Sequence, residues 1–406
     1  MNDYDLVIIG GGLVGGSLAC ALAGTRLRVA VIEAVPVIAA RQPSYDERVI
    51  ALSLGSRQIF GAIGLWPDIA PEAEPIRRVH VSERGRGCFT RLDQTEEGVE
   101  ALGYVTPARA MGLAIRARLK DAANIDFFCP AQLVAQRVMG DWMELETRTN
   151  GESRFLRARL LVAADGGDSA IRQRLDFQIR EHDYAHDAII TTVTADRPQT
   201  GVAFERFTDT GPLALLPMTG GRYSVVWTSR RHATAELLAC TDDEFLDRLQ
   251  ERFGYRLGRL TQTAPRRAYP LKLLLTRDPI RERLVLIGNA AHTLHPVAGQ
   301  GFNLGLRDVA ALAEVVAQAG SDPGTATTLA AYQRWRGRDQ LDTANLTDAL
   351  ARLFVPAWTP LKLARGAGLL GLDLLPGARH LLARRFMGLG GRLPRLARGL
   401  PLEVSR

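Results

Sequence analysis

The first apolar segment, Asp5-Leu6-Val7-Ile8-Ile9, is unbroken and rich in β-branched residues, with no alternation of polar positions. Such a run reads as a strand buried on both faces, as in a parallel sheet. Residues 17–23 continue as a helix, and 27–32 form a second apolar strand. Residues 113–119 predict another helix, and 126–128, 133–138 and 142–147 successive short strands, before an apolar strand at 158–164. From about 183 to 275 the pattern changes. Runs at 188–193, 213–217 and 223–227 are separated by the turn residues Asp209-Thr210-Gly211 and Gly220-Gly221, which predicts an antiparallel sheet. A parallel-type strand returns at 284–287. The expected architecture is therefore α/β. A Rossmann-like nucleotide domain (1–70, 106–182 and 276–340) is interrupted by an antiparallel-sheet domain (71–105 and 183–275). A helical segment, 341–406, follows.

Glycine placement adds chemistry to this pattern. Gly10-Gly11-Gly12-Leu13-Val14-Gly15 lies directly between the first strand and its helix. In such a G-x-G-x-x-G turn the first glycine permits the bend, the second lets backbone approach a pyrophosphate, and the third allows helix and strand to pack closely. The phosphates then face the helix N-terminus, where unpaired N–H groups and the dipole favour an anion. Glu33 ends the second strand, 18 residues after Gly15, where a ribose 2′-hydroxyl needs an acceptor. A carboxylate there disfavours a 2′-phosphate, so the bound adenosine is not that of NADPH.

Two further strand ends carry the same kind of signal, Asp165-Gly166 and Gly288-Asn289. Open α/β sheets place ligand contacts at such ends. Gly299-Gln300-Gly301 reads as a loop excluded from helix, with a helix starting at Phe302-Asn303. Its N–H groups would face the edge of a flavin ring where negative charge gathers on reduction. His292 and His295 lack a third ligand at metal spacing, so packing or solvent roles are expected and no metal.

Composition narrows the class. The chain has 406 residues, 46% hydrophobic, enough for two domains sharing a large core. No apolar run approaches the roughly 20 residues of a membrane-spanning helix. A first strand that starts within five residues leads to the expectation of no signal peptide. Cys20, Cys88, Cys129 and Cys240 have no metal or redox spacing, which predicts a reduced, cytoplasmic setting. The net charge is +7, and the tail concentrates it: Lys362, Arg365, Arg379, Arg384, Arg385, Arg392, Arg395, Arg398 and Arg406 stand against Asp373 and Glu403. Leucines are interleaved, among them Leu361, Leu363, Leu369, Leu370, Leu372, Leu374, Leu375, Leu381 and Leu382. This pattern suits an anionic membrane surface, a partner contact, or a helical cap on the core. Nucleic acid is not expected, because no recognition module accompanies the charge.

The three glycine-bearing motifs, with Glu33, Ser169 and Arg172, resemble the signatures of group A flavoprotein aromatic hydroxylases, the p-hydroxybenzoate hydroxylase type. Asp46-x-Arg48-x-x-Ala51-Leu52-Ser53, Gly103-Tyr104-Val105, Phe204-Glu205-Arg206-Phe207 and residues 211–217 narrow the resemblance to hydroxylases of ubiquinone biosynthesis. Gly288-Asn289 followed by residues 293–308 is similar to those that act on 2-polyprenyl-6-methoxyphenol. Departures are Asn289 in place of the usual acid, Leu113 in place of a polar residue, and no Glu-Asn pair after Tyr104. The resemblance implies a non-covalent FAD, NADH or NADPH as reductant, and dioxygen as co-substrate. It also implies hydroxylation of a polyprenylated phenol through a flavin C(4a)-hydroperoxide.

By the same resemblance Pro296 and the Gly299, Gln300, Gly301, Phe302 and Asn303 loop wall the flavin ring. Pro296, His295 and Gln300 are the candidate catalytic residues, Arg48 and Arg109 candidate cofactor contacts, and Pro217 and Trp227 candidate substrate contacts. Other ubiquinone-biosynthesis proteins are expected partners, and peripheral placement on the inner membrane an expected location. A flavin oxidase or dehydrogenase without oxygen insertion, a sister hydroxylase acting at another ring position, and an FAD-bearing scaffold subunit remain open alternatives.

Overall fold

The computed structural model describes residues 2–36, 48–85, 87, 89–296, 299–354, 368, 371 and 373–403. Lys362, Arg365, Arg406, Cys88, Asp46 and Leu361, Leu363, Leu369, Leu370 and Leu372, which figure in the sequence reading, lie outside the described residues.

Five strands form the parallel core of one sheet, in the order Leu284–Leu286, Glu152–Ala163, Asn2–Ile9, Val29–Ile32, Ile125–Phe128. The short Ile280–Arg281 strand closes one edge. Gln132–Met139 and Trp142–Thr149 extend the sheet as an antiparallel meander on Glu152–Ala163. The apolar runs become strands because both faces are covered. Helices Leu13–Leu22, Ala108–Lys120 and Gln300–Ala317 bury Leu18, Leu22, Ile115, Leu306 and Val309 against Ile8, Val31, Leu160 and Val285.

A second sheet of nine strands runs from His292–Thr293 through Arg267–Thr276, Ile179–Ala195, Arg222–Arg230, Gly211–Pro217, Val202–Thr208 and Arg78–Glu83 to Phe89–Asp93. Leu260–Thr263 pairs off this path with Ile179–Ala195. One face is covered by helices Arg231–Ala239 and Asp242–Phe253. The second of these is held at its start by a capping box, in which the Thr241 side chain accepts from Glu244 N–H and Glu244 from Thr241 N–H. Phe245, Leu249 and Phe253 pack there against Ile189, Leu213, Leu215, Val225 and Trp227. The opposite face looks into the body of the molecule.

Three boundaries differ from the sequence reading. The 17-residue strand Ile179–Ala195 starts before 183, crossing the expected junction. Residues 71–105 are shared: Glu74–Ile76 and Gly103–Pro107 join Val49–Ser53 in a small separate sheet, whereas 78–83 and 89–93 enter the large one. The boundary at 340/341 falls inside the single helix Ala326–Phe354, whose polar residues Arg336 and Gln340 are buried.

The described tail is docked on this body. In helix Pro376–Phe386, Ala383 packs with Met387 against Leu92 and Leu102. Gly55 N–H donates to Met387 O at 2.8 Å, Trp335 Nε1 to Arg392 O at 2.8 Å, and Arg395 N–H to Glu314 Oε2 at 2.6 Å. Arg379 pairs with Glu96 at 3.0 Å and Arg385 with Asp342 at 3.4 Å. Part of the positive charge in the tail is thus spent on the fold, as the helical-cap reading requires. Among the described residues, no helix is long and apolar enough to cross a membrane.

Candidate functional site

The N-terminal turn has the form the glycine spacing demands. Gly10 sits at φ 99°, and a Cβ there would stand 2.5 Å from Ala164 O. A Cβ on Gly15 would stand 1.9 Å from Gly10 O, so helix and strand touch backbone to backbone. Gly12 caps helix Leu13–Leu22 with extended backbone and no side-chain cap, which leaves the first N–H groups facing the cavity. Val14 lines the cavity and also packs against the second turn, since a Cβ on Gly288 would stand 2.9 Å from its Cγ1. Leu13 lines the cavity beside it.

Glu33 is buried at the end of its strand, where it accepts from Gly11 N–H at 2.7 Å and Val35 N–H at 2.8 Å. Each oxygen keeps a further lone pair for a ligand hydroxyl. Glu33→Ala is therefore expected to weaken FAD binding about 10- to 200-fold, the range for losing charge-assisted hydrogen bonds. Fluorescence titration of the apoprotein checks this, and unchanged affinity would remove Glu33 from the site.

A second turn faces the first. Asp165 Oδ2 accepts weakly from Ile171 N–H at 3.4 Å, but Asp165 Oδ1, lining the cavity, is buried without a hydrogen-bond partner among the described residues. Gly166 beside it has φ 88°. An orphaned carboxylate oxygen aimed into a cavity needs a donor from elsewhere, and the hydroxyls of a dinucleotide are donors. Arg172 ties this turn to the next by donating to Gly167 O and to Ala290 O at 3.0 Å. Asn289 is exposed into the cavity from the Gly288–Ala290 turn.

Beneath Gly288 lies a polar cluster that sequence reasoning did not find. Asp308 is fully buried. Its Oδ2 accepts from His292 Nε2 at 2.6 Å and Gly288 N–H at 3.3 Å, and its Oδ1 from Arg336 Nε and Gln340 Nε2 at 2.9 Å each. Burial opposes ionisation, yet His292 and Arg336 hold the carboxyl well below the usual carboxylate range. His292 thus has the packing role expected of it.

The loop after Pro296 closes the other side; Val297 and Ala298 lie outside the described residues. Gly299, at φ 62°, precedes helix Gln300–Ala317. Gln300 and Gly301 are therefore in the first helical turn, contrary to the loop expected there. The first turn needs no N–H to carbonyl bond from its own residues, so glycine costs little at that point. Asn303 is fully used by protein. Its Oδ1 accepts from Ser53 N–H (2.8 Å) and Ser56 Oγ (2.7 Å), and its Nδ2 donates to Ala51 O (2.8 Å) and Gly299 O (2.6 Å). It positions the loop against residues 51–56. Gln300 donates to Phe386 O at 3.4 Å, and Phe302 stacks on Phe60.

All these turns open into one cavity of about 1430 Å³. That exceeds the roughly 300–1,000 Å³ of ordinary ligand pockets, leaving room for a dinucleotide and a second molecule. Gly10, Gly12, Glu33, Asp165, Asn289, Pro296 and the 299–303 loop line it, and so does Arg48, whose guanidinium lies over Tyr269. The far wall is the inner face of the large sheet together with Leu382, Phe386 and Met387 of the tail.

Four expected site residues stand elsewhere. Arg109 is outside the lining and ion-pairs with Glu72. His295 is buried edge-on to Tyr184, where burial and His186 push its pKa down to about 4; it does not line the cavity. Trp227 packs on Phe245 under the covering helices, and Pro217 shares the side-chain parity of Leu213 and Leu215, which face those helices. Their neighbours Val226, Ala214 and Leu216 face the cavity instead. In a strand a shift of one residue reverses the face. Glu205 also lines the cavity, and burial alone pushes its carboxyl up to about 7.

Known proteins place this arrangement. The sequence profile described as "FAD binding domain" matches residues 3–342. The chain is 40% identical over 404 residues to ubiquinone hydroxylase UbiL of Rhodospirillum rubrum, covering 98% of this chain and 93% of the relative. It is 31% identical to 3-demethoxyubiquinol 3-hydroxylase of Escherichia coli, covering 91% and 94%. Its fold matches p-nitrophenol 4-monooxygenase PnpA from Pseudomonas putida at TM-score 0.79 and 19% identity, covering 97% and 100% of the two chains. A cradle that excludes Cβ atoms, an orphaned Asp165 oxygen and a cavity with room for a second molecule are what FAD and an aromatic substrate require. The chain belongs to the FAD-binding-domain family and is, within it, an FAD-dependent monooxygenase of the group A aromatic hydroxylase type found in the ubiquinone pathway.

Proposed function

We propose that this enzyme hydroxylates the ring of a polyprenylated phenol, with 2-polyprenyl-6-methoxyphenol as the substrate. The supporting observation is the cavity itself, which runs from the dinucleotide cradle across an almost wholly apolar sheet face to Leu382, Phe386 and Met387. An aromatic head carrying an isoprenoid tail matches such a lining, whereas a charged substrate would lose its hydration there without compensation.

FAD would be held by the Gly10–Gly15 turn at its pyrophosphate and by Glu33 at its ribose. Asp165, Asn289 and Arg48 would contact the remaining polar groups, and Pro296 with the 299–303 loop would wall its ring. When bound, reduced by NADH or NADPH and reacted with dioxygen, it supplies an electrophilic oxygen atom. The protein's part is to orient the ring and exclude water. Phe302, Leu216 and Phe386 supply apolar surface for that exclusion.

Mass spectrometry of quinone intermediates in a deletion strain tests the reading. Accumulation of 2-polyprenyl-6-methoxyphenol is expected. Accumulation of a demethoxyubiquinol, the kind of substrate named for the Escherichia coli relative, would assign the other ring position.

A tail-bearing substrate partitions into the bilayer, which supports docking on an anionic membrane. Leu374, Leu375 and Leu381 are exposed beside Arg384. Each arginine near such a surface contributes roughly 1 kcal/mol and is screened by salt. Binding to phosphatidylglycerol vesicles is expected to fall with added salt and on changing Arg384 and Arg398 to glutamine. Salt-independent binding, or none, would favour delivery of substrate by a partner protein. Arg392 is excluded from this variant because its side chain stacks on Trp335, and Arg395 because its side chain is paired with Glu403.

A further inference from the structure

The inner face of the large sheet carries one row of directly opposed residues: Ile190, Val226, Ala214, Glu205, Val81 and Thr90. All six line the cavity. Four are apolar, and the two residues flanking Glu205, Ala214 and Val81, have no polar side-chain atom to pair with it. The Glu205 carboxyl is half-buried at the cavity wall, and no described residue offers it a hydrogen-bond partner, an arrangement that no folding requirement explains. Thr90, two strands away, repeats the oddity: its hydroxyl is buried with no hydrogen-bond partner among the described residues. Two unsatisfied polar groups on one apolar wall, roughly 10 Å apart at ~4.8 Å per strand, mark where a ligand presents oxygen atoms.

We propose that Glu205 is the general base that accepts the phenolic proton of the substrate during ring hydroxylation, with Thr90 as a second polar contact to the same ring. This rests on the monooxygenase reading given above. The step is a proton transfer only. The phenolic O–H bond breaks, the proton moves to a Glu205 carboxylate oxygen, and the electron pair left on oxygen is delocalised into the ring. The ring carbon ortho or para to that oxygen gains nucleophilicity toward the electrophilic oxygen that FAD chemistry supplies from dioxygen and NAD(P)H. The proton leaves Glu205 to water once product departs.

A base works best when its pKa lies near the working pH. Burial alone pushes the Glu205 carboxyl up to about 7, closer to a phenol than an exposed glutamate would be. Other charged groups on the cavity wall are engaged or remote. Arg379 is held by Glu96 and Asp373, Arg48 lies over Tyr269, and Glu33, Asp165, Asp168 and Arg174 stand at the cradle end. Glu83, on the strand beside Glu205, is outside the lining.

The test uses FAD-loaded protein, NADH or NADPH, air and 2-geranyl-6-methoxyphenol. Glu205→Gln keeps the shape and removes the base. Hydroxylated product is expected to form about 10²- to 10⁴-fold more slowly. FAD content and affinity for the phenol should be unchanged, and more of the NAD(P)H consumed should appear as hydrogen peroxide. The acid limb of the pH–rate profile, expected near pH 7 in the unmodified enzyme, should disappear in Glu205→Gln and persist in Glu205→Asp. Unmodified rate and limb in Glu205→Gln would overturn the assignment. So would equal losses in the Gln and Asp variants with the limb intact, since these indicate a packing role. Absence of hydroxylated product from the unmodified holoenzyme would instead overturn the functional reading, and the Glu205 step with it.

Discussion

Gly15→Val is expected to give protein without FAD. A Cβ on Gly15 stands 1.9 Å from Gly10 O and 3.2 Å from the Ala164 Cβ, and neither neighbour can yield. Gly10 is itself locked at φ 99° with Ala164 O and Asp165 Cα against its other side. The helix must therefore swing off the strand, and its N-terminal N–H groups lose their aim at the pyrophosphate. Overpacking of this kind typically costs about 1–3 kcal/mol in a core that can adjust, and more where backbone is the obstacle. Absorbance of the purified protein reads the result directly. Gly61→Ala serves as control, because its Cβ would meet only the Arg57 Nη1 at 3.9 Å and it lies in helix Leu54–Ala62. That change should leave FAD bound and stabilise the helix by up to about 1 kcal/mol. A yellow Gly15→Val protein would show that close helix–strand contact is not what shapes the cradle.

The glycine turns were legible because each imposes a backbone condition that few residues meet. Gly10 and Gly15 could be placed from spacing alone, and the structure packs both tightly against backbone; Glu33 ends its strand beside the same turn, where it accepts from Gly11 N–H. The face of the large sheet was not legible. Its strands are covered by helices on one side and by apolar cavity wall on the other, so no polar alternation distinguishes the sides. Trp227 and Pro217 were expected on the substrate face of the sheet. They sit one residue out of phase with Val226 and Leu216, and large residues fill the helix-covered side, where the core is thickest. Glu205 was visible in sequence only as part of a family-like run. Its isolation among Ala214 and Val81 exists only after the strands pair.

Buried polar helix residues were hidden for a related reason. Asp308, Arg336 and Gln340 look like the wet face of amphipathic helices, and only packing reveals that these faces meet each other. The tail was hidden by its charge. Nine basic residues suggested a surface, whereas Arg379, Arg385 and Arg392 have partners on the body and Arg395 pairs with Glu403 inside the tail.

Asp308→Ala is expected to lower the stability of the nucleotide domain by about 3–5 kcal/mol, the cost of breaking a buried charge pair from one side. The carboxylate receives four donors from three segments: His292, the Gly288 turn, and the helix bearing Arg336 and Gln340. Without it Gln340 Nε2 keeps only a long contact to Tyr332, and His292 Nε2 loses its acceptor. Arg336 keeps Asp339 alone. Asp308→Asn should fare almost as badly, because its amide nitrogen would be a fifth donor facing donors. Denaturant unfolding of the apoprotein measures both, and FAD release on heating should shift with them, since Gly288 N–H anchors the cofactor turn. The pH dependence has a definite sign. A carboxyl whose folded pKa is depressed stabilises the fold above its unfolded pKa, near 4, and that contribution is lost as pH falls through the folded value. The gap between unmodified and Ala proteins should therefore stay open down to about pH 4 and narrow only below it. Closure of the gap at neutral pH, or an Asn variant as stable as the unmodified chain, would mean that the cluster holds its shape by packing and not by the Asp308 charge.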